Sequence, residues 1–438
     1  MMVWLILSLC AFNASAGVRI EVTQALAVGL PVAVIPFSVD GKSSSSHEIA
    51  DVIRSDLQNS GQFSVSNFRS LDAFPDHSSA VDFQHWKSSG VEDIVVGRIE
   101  KVGFSKYNVT FELLDVVGHR REQTAKDSVM LAMRFENIGK DDFRPLAHHI
   151  SDLIFERLIG VKGFFSTRIA YISVTRGFRG ITQTLEVADF DGHNPQPLYR
   201  SHHPLMSPSW SSDGSRTAFV AFEKDRAGIY IADVSSGRTQ RVTQFPGING
   251  APAWSPDGKT LALVLSKDGL PKIYTLELES KRLTRLTHGG GRDTEPRFTP
   301  DGRFVVFTSD KSGRPQIYKV PLLGGKAERV TFKGVYNARP SITPDGKRLV
   351  TLHRQESGSL FSIAVQNLKT GEVKILTETG LNDSPCVAPN GMMVLYGSMS
   401  GTHDILNAVS LDGRTKVRLP AQDGEVKDPA WSPFTSKY

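Results

Sequence analysis

The residues able to do chemistry in this chain are its twelve histidines, its two cysteines and an Asp-Gly pair that keeps returning. Two carboxylates flanking a bond suit glycoside hydrolysis, whereas Asp-Gly at a hairpin is turn chemistry. The pair holds one fixed place in each repeat (Asp213-Gly214, Asp257-Gly258, Asp301-Gly302, Asp345-Gly346), which assigns it to turns. His148-His149 falls in a predicted helix, where neighbours point about 100° apart and cannot share one metal ion. His202-His203 precedes Pro204 in a predicted surface turn. Asp189-Phe190-Asp191-Gly192 resembles a piece of a calcium loop, but the third carboxylate and the closing Glu are missing. The chain has no G-x-S-x-G, H-E-x-x-H, C-x-x-C or Walker A sequence, and no G-x-G-x-x-G after a strand. The expectation is a protein that is not an enzyme, with no catalytic residue, no metal and no cofactor, working by binding partners.

The elements that must position such binding announce themselves by repetition. A phrase Pro-x-aromatic-Ser/Thr-x-Asp-Gly starts at Pro208, Pro252, Pro296 and Pro340, weakens at Pro385 and is truncated at Pro429, in steps of 44, 44, 44, 45 and 44 residues. Each unit reads as a short strand, a type I turn with Pro second and Gly fourth, and an apolar second strand. A third strand follows, with an Ile-Tyr-like pair (Ile229-Tyr230, Ile273-Tyr274, Ile317-Tyr318, Leu360-Phe361, Ile405-Leu406). The predicted outer strands are Arg241–Thr243, Arg285–Thr287, Arg329–Thr331, Ile375–Thr377 and Arg418-Leu419. Four strands in about 40–45 residues is the signature of a β-propeller blade. Ile169–Val174, Thr184–Asp189 and Pro197–Tyr199 supply a blade without its inner strand, and Pro429-Ala430-Trp431 supplies an inner strand without its blade. The prediction is six blades, five continuous and one composite. Closing a ring of about 270 residues costs roughly 5 kcal/mol. Burying one Trp returns a similar amount, so Trp431 is the expected clasp.

Upstream the sequence changes character. Val3 to Phe12 is apolar and ends near Ala14-Ser15-Ala16, a secretory signal over residues 1–16, too short to span a bilayer. The mature chain has no 18-residue apolar run, and its one cysteine, Cys386, leaves no intrachain disulfide. Residues 17–162 mix strands with helices: an alternating strand from Val18, an apolar strand at Pro31–Phe37, and a Ser45-x-x-Glu48 capping box opening a helix that stops at Gly61. Strands are also expected at Ile94–Ile99 and Val109–Val116, and a helix at about Asp142–Ile159. The fold class is therefore a two-domain chain, α+β then all-β: a small N-terminal α/β domain (17–162), then a six-bladed β-propeller (163–438). The first carries 16 Lys+Arg against 20 Asp+Glu, a net of −4; the second carries 35 against 26, a net of +9. The basic residues are dispersed and no run interleaves them with aromatics, which argues against nucleic acid as a partner.

In a propeller the links from outer strand to next inner strand gather around one mouth of the channel. Here they contain Leu205-Met206-Ser207, Asn249-Gly250-Ala251, Asp293-Thr294-Glu295, Asn337-Ala338-Arg339, Asn382-Asp383-Ser384 and Val426-Lys427-Asp428. Such a concave ring of amides, small residues and charges is a candidate docking face for protein. From it, Met206, Asn249, Gly250, Ala251, Thr294, Glu295, Asn337, Arg339, Asp383 and Lys427 are the candidate contact residues. A propeller hydrolase, or a propeller binding carbohydrate or peptidoglycan, is the competing reading.

Several longer stretches are more specific than the blade phrase: VRIEVTQ, PVAVIPF, SDLQNSGQF, VVGRIEKV, YNVTFELLD, FERLIGVKGFFSTRIAYIS, NGAPAWSPDGK, TEPRFTPDG and FTSDKSGRPQIYKV. With them, essentially the whole mature chain resembles the TolB family, the periplasmic components of the Tol–Pal envelope system. The resemblance implies a mouth that binds the lipoprotein Pal through Asn249, Gly250, Ala251, Thr294 and Glu295. Ile248 stands where the resemblance leads one to expect a polar residue. It also implies capture of the mature N-terminal segment (Val18, Arg19, Ile20, Glu21, Val22, Thr23) by TolA. The implied role is outer-membrane integrity and constriction at cell division, with other outer-membrane or peptidoglycan-associated proteins as further partners.

Overall fold

The Pro that opens each repeat lacks an N–H and so cannot continue a ladder, and the molecule is organised around that fact. The computed structural model describes residues 21–24, 29–40, 42–46, 48–66, 75–118, 128–178, 180–378, 381–401, 403–419 and 424–434. Residues 1–16, where a secretory signal is expected, and Val18, Arg19 and Ile20 lie outside the described residues.

Six four-stranded antiparallel sheets form the ring. Blade 1 runs from the inner strand Glu425–Trp431 through Arg168–Gly177 and Gly180–Asp189 to Gln196–Ser201. Blades 2 to 6 follow in chain order, with inner strands Leu205–Trp210, Asn249–Trp254, Asp293–Phe298, Tyr336–Ile342 and Asn382–Val387. Their outer strands are Thr239–Thr243, Leu283–Arg285, Glu328–Arg329, Val373–Ile375 and Lys416–Leu419. Three outer strands thus end two residues before the predicted segments do, because the Thr that closes each segment has another task. The hydroxyl Oγ1 of Thr243, Thr287, Thr331 and Thr377 accepts the N–H of Ile229, Ile273, Ile317 and Ile363 at 3.4, 3.0, 2.9 and 2.8 Å. The side chain replaces the ladder where the outer strand peels away. That register corrects the blade 5 assignment: Leu360-Phe361 precedes the third strand, Ser362–Asn367, and Ile363 takes the repeat position.

The Asp-Gly pairs sit in turns. Gly258 N–H donates to Ser255 O at 2.9 Å and Asp257 Oδ1 accepts Lys259 N–H at 3.0 Å. The Ser211 hydroxyl on Asp213 pulls that carboxyl down to about 2. A carboxylate so committed is poor material for a general acid.

The N-terminal strand β1 (Glu21–Gln24) pairs antiparallel with Lys416–Leu419, with Val22 opposite Val417, and makes blade 6 five-stranded. The remaining strands are β2 (Leu30–Val34), β3 (Phe37–Val39), β4 (Lys42–Ser46), β5 (Phe63–Ser66), β6 (Asp93–Gly103), β7 (Lys106–Asp115) and β8 (Val129–Gly139). They form one mixed sheet in which β6 pairs β2 and β3 in parallel and β7 antiparallel, and β8 pairs only β7. Helix α1 (Glu48–Asn59) and helix α3 (Phe143–Ile159) cover one face through Ile49, Ile53, Leu57, Leu146, Ile150 and Ile154. The short helix α2 (Phe83–Ser88) seats Trp86 on the other face. Ser45 is not a helix cap: it lies in β4 opposite Ser38, and tertiary pairing overrides the local Ser-x-x-Glu pattern. No helix among the described residues is long and apolar enough to cross a membrane.

The sheet unit and the ring share one core. Phe155 of α3, Phe164, Phe165, Phe190 and Trp431 pack edge to face with centroids 5.5 to 6.1 Å apart, and Phe164 and Phe165 lie tilted against each other at 4.7 Å. Gly61, at φ +68°, sits so close that a Cβ there would lie 1.8 Å from Thr415 Oγ1 of blade 6. Between α3 and blade 1 the half-buried Asp152 accepts Phe165 N–H at 2.7 Å and Ser166 N–H at 3.0 Å. Burial raises its pKa from 3.8 to about 6 against those hydrogen bonds. The folded chain therefore keeps this proton over a range where the unfolded chain has lost it. The contribution is full below pH about 3.8, is lost as pH rises through about 6, and amounts to at most about 3 kcal/mol. Asp152→Asn should escape that loss, so its melting temperature relative to wild type should climb between pH 4 and pH 7. Parallel curves would overturn the assignment.

Candidate functional site

Each inner strand breaks its ladder at the same place, just before the repeat proline. The residue there is Ser207, Ala251, Glu295, Arg339, Ser384 or Asp428, and all six have left-handed backbone, φ between 45° and 54°. A non-glycine residue rarely takes that conformation once, let alone at six equivalent positions. All six residues, with Pro208, Pro340, Pro385, Pro429 and Arg297, line a small cavity on the ring axis. Its volume is about 50 Å³, room for a few waters and far below an organic ligand.

Arg339 bridges this throat. Its guanidinium lies 2.8 Å from Asp383 Oδ1, 3.3 Å from Glu295 Oε1 and 3.8 Å from Asp428 Oδ1, and it donates to Ser384 Oγ. Its own N–H donates to Glu295 Oε2 at 2.9 Å, and Ser384 Oγ donates to Asp428 Oδ1 at 3.0 Å. One side chain thus ties blade 5 to blades 4, 6 and 1. Burial works against the Arg339 charge, but the three carboxylates outweigh it and hold the pKa above the ordinary value. Burial lifts the Asp383 carboxyl, and Arg339 pulls it back only in part.

Around the throat the surface turns apolar. Strands alternate in direction, so the links between second and third strands reach the same face as the links into each inner strand. Phe178, Ile181, Met206, Phe245, Ile248, Leu270, Leu360, Leu381 and Met399 are exposed there. Between blades 2 and 3 a groove of about 730 Å³, lined by Met206, Val220, Phe222, Phe245, Ile248 and Ala251, opens into the throat. A charged, hydrogen-bonded centre inside an apolar rim can hold a protein surface in one orientation.

Eight of the ten mouth residues expected from the sequence stand on this face: Met206, Gly250, Ala251, Thr294, Glu295, Arg339, Asp383 and Lys427. Asn249 and Asn337 do not; they are 1% and 3% exposed. The Asn249 amide donates to Phe245 O at 2.7 Å and Gly247 O at 3.2 Å, and that of Asn337 to Lys333 O at 2.9 Å. They shape the loops from beneath. Sequence reasoning passed over Ser207, Ser384 and Asp428 as contacts, although each precedes a repeat proline as Ala251, Glu295 and Arg339 do; that register was the available signal. Glu21, Val22 and Thr23 fall in β1 on the edge of blade 6. That strand runs antiparallel to Lys416–Leu419, whose chain leads within a few residues into Glu425–Trp431 and so to Lys427 and Asp428 of the mouth.

Residues 155–435 match the family model described as the TolB beta propeller domain, and residues 18–122 match the TolB amino-terminal domain. The chain is 56% identical over 418 residues to the Tol-Pal system protein TolB of Coxiella burnetii, covering 95% of this chain and 93% of that one. It is 53% identical over 434 residues to the protein of the same name from Nitrosococcus oceani, covering 99% and 96%. The crystal structure of TolB from Acinetobacter baumannii superposes with a TM-score of 0.85 at 36% identity, covering 95% of this chain and all of that one.

Proposed function

The chain belongs to the TolB family of the Tol–Pal system, and on that premise we propose that it is a periplasmic, non-enzymatic docking protein with two partner sites. The propeller mouth receives Pal, and the mature N-terminal segment is offered to TolA, in support of outer-membrane integrity and constriction at division. The observation that carries the reading is the mouth: six strained inner-strand residues around an Arg339-centred throat, ringed by exposed apolar side chains. Exposed apolar rims of this kind mark protein interfaces. The throat's waters-only volume favours surface docking over engulfment of a substrate.

The N-terminal site supports a coupling. In one state β1 occupies the edge of blade 6; in the other the segment adds to a sheet of TolA, as a free extended terminus can. Release of β1 frees the edge of Lys416–Leu419, which is continuous with the strand carrying Lys427 and Asp428. The two states then differ in affinity for Pal, and each partner biases the other's binding by the same factor.

Titration calorimetry with purified Pal and TolA tests both sites. Thr294→Arg sets a long cation on the rim beside Glu295 and should weaken Pal about a hundredfold, near 2.7 kcal/mol, with TolA unaffected. Deleting residues 17–28 should abolish TolA binding and leave Pal binding measurable. If either change removed both partners equally, the two-site reading would fail.

A further inference from the structure

Where blade 1 meets the N-terminal unit, side chains from three elements converge. Asp56 comes from α1, His148 from α3, and Asp191 from the turn after Gly180–Asp189; one ligand atom of each lies within 4.8 Å of the others. No other trio of His, Cys, Asp and Glu among the described residues meets that spacing. Asp56 and His148 are 1% and 3% exposed. His148 Nδ1 lies 2.8 Å from Asp56 Oδ2, while Nε2 is buried with no hydrogen-bond partner. Nδ1 is therefore the ring nitrogen that faces the cluster, and Phe190, edge-on at 5.5 Å, fixes the plane of the ring. His149, its neighbour on α3, turns instead to Phe135 at 5.8 Å.

We infer that Asp56, His148 and Asp191 form a site for a divalent transition-metal ion of the zinc type, pinning the N-terminal unit to blade 1. The donor set, one imidazole nitrogen and two carboxylate oxygens, suits zinc, and two carboxylates balance its charge. Tetrahedral zinc with bonds of about 2.0–2.2 Å holds its ligand atoms about 3.3 Å apart. The Asp56–His148 pair must open by about half an ångström, and the wider separations must close by at most about 1.5 Å. Arg144 now donates to Asp191, and its Nε also lies 3.7 Å from Asp189 Oδ2. It can release Asp191 to the ion and keep Asp189, so no charge is stranded. A cleft of about 440 Å³ bordered by His148, Asp189 and Arg168 provides the way in, and water takes the fourth position.

The test uses the full mature chain, tag removed and stripped with a chelator, titrated with zinc chloride in a calorimeter; cobalt(II) absorption reports geometry. One ion per chain should bind, the melting temperature should rise with zinc, and cobalt should give the intense visible bands of tetrahedral coordination. Asp191→Asn, at a half-buried position, should weaken binding at least tenfold, and His148→Gln likewise, while His149→Gln should bind as wild type. Absence of saturable binding, or wild-type affinity in Asp191→Asn, overturns the site. Because His148 is deeply buried and its variant can misfold, Asp191→Asn with His149→Gln as control decides the question.

Discussion

Trp431→Ala should lower the stability of the whole molecule by about 3–5 kcal/mol, the range for truncating a buried Trp. The indole is 8% exposed and closes the ring: Trp431 pairs with Ile169, and Ser432 exchanges hydrogen bonds with Arg168 at 2.8 and 2.9 Å. The other two repeat tryptophans reach back to the preceding inner strand, Trp210 to Ala430 O and Trp254 to Ser209 O, both at 3.1 Å. Trp431 reaches Thr167 Oγ1 at 2.8 Å in the link from α3, and its ring lies 5.6 Å from Phe164. Its loss therefore weakens two things together, the clasp of blade 1 and the aromatic stack joining ring to sheet unit. Trp254→Ala, equally buried but remote from that stack, serves as the control. Both variants should melt early in calorimetry. Only Trp431→Ala should also expose residues 160–167 to protease well below its melting temperature. Equal protection of that link in the two variants would show that clasp and interface are independent.

The ring was legible because its punctuation has steric causes: Pro ends a ladder, Asp-Gly turns it, and both recur every 44 residues or so. The composite blade followed from the two leftover fragments. Legibility failed where a local pattern met a distant partner. Ser45-x-x-Glu48 reads as a helix start until Ser38 is found opposite it. The edge strand Val129–Gly139, with Ala132, Met133 and Arg134 exposed, has no clear alternation to announce it. At the mouth the positions were legible and the orientations were not. Asn249 and Asn337 look like surface amides, and only the bulge in each inner strand turns them inward and the next-but-one residue outward. That Arg339 would gather carboxylates from blades 4, 6 and 1 depends on ring closure, which no single repeat encodes.

The same repeat logic predicts a second large effect, at Lys272. This side chain is 1% exposed, and its Nζ donates to Asp293 Oδ2 at 2.9 Å and Gly291 O at 2.7 Å. Asp293 opens the inner strand of blade 4 directly beneath Thr294 and Glu295 of the mouth, and also accepts the Ser309 hydroxyl at 2.6 Å. Removing one partner of a buried ion pair costs about 3–5 kcal/mol, because the other charge is left without compensation. Lys272→Met should destabilise by that amount and, by loosening Thr294 and Glu295, weaken Pal docking as well. Blades 3, 5 and 6 show how the position works without a lysine: Asn249, Asn337 and Asn382 stand where Asp293 stands. Their amides donate to loop carbonyls themselves, Asn249 to Gly247 O as Lys272 does to the equivalent Gly291 O. Adding Asp293→Asn to Lys272→Met removes the stranded charge and restores a donor for Gly291 O. The double variant should then recover most of the lost stability in urea titration, leaving about 1 kcal/mol, and should recover docking with it. Asp293→Asn alone leaves Lys272 buried opposite a neutral amide and should fall between the two. If the double variant were no more stable than Lys272→Met, the cost would lie in lost lysine packing, and the buried charge would not be what sets this corner of the mouth.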